Sequence, residues 1–131
     1  MKDLFVPYQE SLELKELGFD EPCLGFYDGK GNTELYFNYK RDASGDFAPF
    51  VKHERLTWFG APTFSQAFRW FREKYKLSGT PQYFTGGYYC YTINDMKDTK
   101  ESNRLFTEFE TFEEAELAAI VKLIEIVKNK A

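Results

Sequence analysis

Histidine occurs once in this chain, at His53, and cysteine twice, at Cys23 and Cys90. Three such residues with no short spacing among them make no zinc pattern. The expectation is a protein with no metal and no other cofactor. The preferred reading of the thiols is two reduced cysteines in a cytosolic protein, with one disulfide between two strands as the alternative. Long apolar runs are missing as well. The opening MKDLFVPYQE holds none, so no signal peptide is expected. The apolar C-terminal stretch is broken by Lys122 and Glu125, which leaves nothing long enough to span a bilayer. The expected location is the cytoplasm. An excess of positive charge is also absent: 17 Lys and Arg stand against 21 Asp and Glu, a net charge of −4. The field of the whole molecule therefore gives no help in holding nucleic acid or an anionic membrane.

What the chain does have is rings. Two Trp, nine Tyr and fourteen Phe make 19% of its 131 residues. Aromatic side chains bury much area each, so the core is expected to be rich in them, with some left at the surface. The length suits one domain.

VPYQESLELKELGF predicts a helix from about Pro7 to Leu17, with Pro7 in the first turn, Gly18 as its left-handed cap and Phe19 folding back. CLGFYDGKGNTELYFNY predicts a hairpin turning at Asp28–Asn32. Residues 40–54 read as a loop with an apolar centre, Phe47, Pro49, Phe50 and Val51, and RLTWFGA reads as a short strand. A helix is predicted from a Thr63–Gln66 capping box, stopping at Ser78-Gly79. PQYFTGGYYCYTIN predicts a second hairpin turning at Gly86-Gly87, DMKDTKESNR a polar connector, and LFTEFE a short extended segment. Thr111 and Glu114 open the last helix, with glutamates at its start and lysines toward its end, as the helix dipole favours. Its apolar arc covers about half the circumference, which suits a helix deep across a sheet or one that also forms a homodimer seam. The predicted fold is a single α+β domain over residues 1–131: an antiparallel sheet from two hairpins plus a short strand, packed by about three helices.

Three stretches, LKELGFDEPC at Leu14–Cys23, APTFSQAFRWFREKY at Ala61–Tyr75 and FETFEEAELAAIVKLIEIVK at Phe109–Lys128, together resemble blocks found in small proteins encoded by phages, prophages and mobile elements of gut anaerobic bacteria. The blocks stand in the same order and span most of the chain. The resemblance implies an accessory protein of phage origin and brings with it no ligand and no catalytic residue. The segments Phe47–Val51 and Asp95–Arg104 lie outside the resemblance, so function particular to this chain is expected there.

No catalytic set emerges. His53 sits in a charged Lys-His-Glu-Arg run, where a solvated loop residue is the plain reading; a Cys–His pair formed in space has no local signature behind it. Carboxylates are too many to be informative. Asp42 and Asp46 around Ser44-Gly45 fall short of a calcium loop, and Gly29-Lys30-Gly31 lacks the helix a phosphate cradle needs.

The stretch after Gly60 invites more. At 100° per residue, Phe64, Ala67, Phe68, Phe71 and Tyr75 form a core stripe, Arg69, Arg72 and Lys76 share an adjoining face, and Trp70 stands on a shoulder. Surface pairing of those bases with carboxylates is the plain reading. The candidate interaction residues are thus Arg69, Trp70, Arg72, Lys76, Phe47 and Phe50. The leading expectation is a non-enzymatic interaction protein that binds a protein partner or itself. Weak nucleic-acid or anion binding through Arg69, Arg72 and Lys76 is the alternative, disfavoured by the net charge. A small-ligand binder or enzyme with an aromatic-lined pocket is the third.

Overall fold

The computed structural model describes residues 2–31, 33–37, 58–97 and 102–130, and the side chains of residues 3–31, 33–37, 58–97 and 108–130. Among the described residues, three α-helices and two three-stranded antiparallel sheets make it an α+β protein, the predicted class. The chain divides into two compact units, Met1–Thr63 and Phe64–Ala131.

The first unit opens with a single 3-10 turn at Lys2–Leu4 and helix α1, Tyr8–Glu16. Pro7 is the extended N-cap, not a residue of the first turn, and Leu17 is the C-cap, so the helix is one residue shorter at each end than the sequence predicts. Gly18 takes φ +103, a conformation that costs glycine little. Phe19 N–H then donates to the Leu14 carbonyl at 2.9 Å and Gly18 N–H to that of Lys15 at 3.0 Å. That double closure is a Schellman motif, and it turns the chain toward the first sheet. Strand β1, Gly25–Tyr27, pairs with β2, Tyr36–Phe37, to complete the first predicted hairpin. Asp28 Oδ1 accepts from Lys30 N–H at 2.9 Å to start the turn. Strand β3, Phe59–Ala61, adds to the other side of β1, so the order is β2-β1-β3. Phe5, Tyr27, Phe59 and Ala61 form the core of this unit, with Tyr8, Leu12, Leu35 and Phe37 against it.

Tyr27 carries a polar group into that core. Its hydroxyl donates to the Val6 carbonyl at 3.0 Å, where the Ser11 hydroxyl also donates at 2.9 Å. Burial, and then the charge of Glu10, push its pKa from 10.0 to about 12. The fold thus favours the neutral phenol. The stability this supplies is fully present below pH 10 and is lost as pH rises through about 12. Urea unfolding across that window is expected to show wild type losing of order 2 kcal/mol more than Tyr27→Phe. Parallel curves for the two proteins would show that Tyr27 does not carry this dependence.

The second unit begins with α2, Phe64–Tyr75. The sequence places the end of this helix at Ser78-Gly79; the chain turns earlier. Lys76 adopts φ +58 and its carbonyl accepts from Met96 N–H at 2.8 Å. Strand β4, Leu77–Phe84, starts at the next residue and contains Ser78, Gly79 and Pro81. Here glycine marks a close approach and not a stop. A Cβ at Gly79 would lie 2.8 Å from Leu123 Cδ1 and 3.2 Å from Phe68 Cε1.

The second predicted hairpin follows, with β5 at Tyr88–Asp95 paired to β4 over its whole length. Its turn closes through Gly87 N–H to the Phe84 carbonyl at 3.1 Å. Strand β6, Ser102–Phe109, is longer than the predicted short segment and pairs with β5 through a bulge between Tyr89 and Tyr91. The two hairpins therefore belong to two sheets, not to one. The first hairpin takes β3 as its third strand and the second takes β6, so each finds its extra partner within its own half of the chain. Helix α3, Phe112–Lys130, begins as predicted, with Glu114 N–H donating to Thr111 Oγ1 at 3.1 Å. It packs on β4, β5 and α2. Its buried side chains, Ala115, Ala119, Ile120, Leu123, Ile124 and Val127, span about 180° of its circumference. Lys130 Nζ reaches Asp95 Oδ2 at 3.1 Å and pins the last turn to the end of β5. The backbone N–H of Lys97 and then Lys130 hold the Asp95 carboxyl below its ordinary value.

Candidate functional site

The residues predicted to form an interaction strip meet different fates. Arg69 and Arg72 are exposed on α2. Trp70 is not a surface shoulder: it is only 5% exposed. Its ring meets Phe71 edge-on at 5.1 Å and Tyr75 at 5.3 Å. Lys74 Nζ covers it at 5.1 Å from the ring centre. With Trp70 buried, the apolar side of α2 widens to about 160° and the stacking ring beside the arginines is withdrawn. Lys76 lies beyond the helix end, so the i, i+3, i+7 spacing that linked it to Arg69 and Arg72 no longer places it with them. Phe47 and Phe50 lie outside the described residues, as does His53.

Both cysteines are buried thiols. Cys23 Sγ donates to the Glu21 carbonyl at 3.3 Å. A Cβ on Gly60 would come within 2.7 Å of that sulfur. Cys23 is thus packed tightly against β3. It borders a cleft of about 190 Å³ in the first unit, walled by Phe26, Trp58 and Phe59, with Lys15, Asp20 and Glu21 at its edge. Phe26 and Trp58 pack against each other at 4.8 Å, and Lys15 Nζ sits 5.7 Å from the centre of the Phe59 ring.

A larger feature lies in the second unit. Beside α3 runs an open groove of about 560 Å³, formed by Tyr91 of β5, Phe109 of β6, and Leu117, Ala118 and Val121 of α3, with Glu114, Lys122 and Glu125 at its margins. The periodicity of α3 explains it. Leu117, Ala118 and Val121 project about 140°, 240° and 180° from Phe112, beyond the arc that the sheet and α2 cover. Val121 is 44% exposed. A helix packed by one face needs no apolar residue there.

Rings extend the groove toward the tip of the second hairpin. Tyr91 and Phe109 lie 6.1 Å apart, and Tyr89 stands opposite Phe109 in the strand register. Tyr89 also meets Phe112 edge-on at 6.1 Å and Tyr83 at 5.4 Å. Tyr83 is 62% exposed, and Phe84, Tyr88 and Phe112 are exposed as well. The sequence signals both halves of this surface, through its aromatic surplus and the wide arc of its last helix. It does not place Tyr83, Tyr89 and Phe112 side by side, because that adjacency depends on strand register.

No family model, no curated protein and no solved structure matches this chain. No helix among the described residues is long and apolar enough to cross a membrane.

Proposed function

We propose that this protein works by binding another protein, without catalysis, through the outer face of α3 and the aromatic hairpin beside it. One observation carries the reading: rings run from the exposed Tyr83 through Tyr89 to the exposed Phe112, and Tyr89 stands opposite Phe109, which lines the groove together with the buried Tyr91 and the exposed Val121. Contiguous exposed apolar surface of this kind marks interaction sites, and rings are the side chains that anchor them. The resemblance to small phage and prophage proteins agrees with an accessory role of this sort.

Val121→Asp and Tyr83→Ser place polar groups on that surface at exposed positions, where stability is expected to change by about 0.5 kcal/mol or less. Tagged wild type is expected to retain a partner from a bacterial lysate that both variants lose while keeping wild-type circular dichroism. A partner held equally by wild type and both variants would show that binding goes through another surface.

A further inference from the structure

The groove beside α3 has a charge as well as a shape. Two of its three charged residues are acidic, Glu114 and Glu125, and the third, Lys122, is held by Glu125 Oε1 at 3.3 Å. Glu110 follows the groove residue Phe109, Glu113 adjoins Glu114, and both are exposed. The neighbouring groups feel this field. Burial first, and Glu113 second, push the Glu116 carboxyl up. The Tyr91 hydroxyl is pushed up by burial and then by Glu125.

Resting on the interaction reading above, we infer that the occupant of this groove is a basic amphipathic helix of a partner protein. Leu117 and Val121 stand one turn apart on α3, which suits the i, i+3, i+4 anchors of a helix laid alongside. Ala118 lies between them in sequence and leaves room for close approach. Lysines or arginines flanking such anchors would meet Glu113 and Glu114. A second copy of this chain fits less well. A two-fold interface sets the same patch on both subunits, so the two acidic margins would face each other, and like charges brought together at an interface are costly.

The probe is a fluorescein-labelled helical peptide of Leu, Ala and Lys with leucine on one face, beside a counterpart carrying Glu for every Lys. Anisotropy titration of wild type is expected to show binding of the Lys peptide, weakening as salt rises. Val121→Asp is expected to weaken it by about tenfold or more, against the attraction of its added negative charge. Thr80→Asp, which adds the same charge at an exposed position on β4, should leave the affinity as in wild type. Equal binding of the Glu peptide, lost in Val121→Asp, would overturn the basic partner while leaving the groove as a docking site. Lys-peptide binding indifferent to Val121→Asp would overturn the inference as mere attraction between opposite charges. Light scattering that shows a dimer in wild type and a monomer in Val121→Asp would overturn it in favour of a second copy. If neither peptide binds, the inference falls, and the lysate experiment decides the interaction reading separately.

Discussion

Phe71→Ala is expected to lower the unfolding free energy of the second unit by about 3–5 kcal/mol. Phe71 is 0% exposed and heads the fully buried side chains by volume. Its ring meets Trp70 at 5.1 Å and Tyr75 at 6.1 Å, both on the same helix. Those neighbours are held by the backbone of α2 and cannot collapse into the space a lost ring leaves. The truncation therefore forfeits the transfer term and leaves most of a cavity with apolar walls. Phe71→Leu keeps much of the volume and should cost less than half as much. The measurement is urea unfolding followed by circular dichroism, with the slope against denaturant unchanged, so that the whole effect appears in the midpoint. A loss under about 1 kcal/mol would show that the site repacks, and that α2 is not seated by this ring.

The same helix shows what could and could not be read from the amino-acid order. Several local readings held. The Pro7 start and Gly18 stop of α1, the Thr111 cap of α3 and the turn before Tyr88 are set by backbone conformations and hydrogen bonds within a few residues. Trp70 was legible as an α2 residue but not as a buried one. A helical projection gives an angle, and how wide an arc is covered depends on what packs there. Lys76 and Gly79 were exchanged in role for a related reason. Glycine is the ordinary residue both for a left-handed cap and for a close approach, and nothing near Gly79 in sequence says which applies. The less usual solution was taken, with a lysine in the cap conformation and the glycine saved for the sheet. The division into two sheets was illegible because strand pairing is non-local. The groove beside α3 was half legible: the wide apolar arc suits either a helix deep across a sheet or one with a second apolar contact, and Tyr91 and Phe109 join it only through the β5–β6 register.

Gly79→Val is the second substitution expected to be severe, and Gly79→Ala tests why. Alanine at an ordinary strand position would stabilise by about 0.5–1 kcal/mol through the unfolded chain. Here its Cβ would stand 2.8 Å from Leu123 Cδ1 and 3.2 and 3.3 Å from the Phe68 ring. Both neighbours are buried and belong to helices packed on this sheet, so the Leu123 side chain must leave its rotamer or α3 must shift. Overpacking of this kind costs about 1–3 kcal/mol, and the net effect of Gly79→Ala should be destabilising. Valine adds two methyl groups to the same gap and should approach or exceed the upper end of that range. A double-mutant cycle separates the clash from any general intolerance of β4. Leu123→Ala alone should cost about 2–5 kcal/mol, and it removes the atom at 2.8 Å. In that background Gly79→Ala should cost at least about 1 kcal/mol less than in wild type, a coupling of the size seen for residues in contact. Rescue should be partial, since the Phe68 ring remains. If Gly79→Ala costs the same with and without Leu123, then α3 does not lie on β4 at this point, and the placement that exposes Leu117 and Val121 to the groove loses its footing.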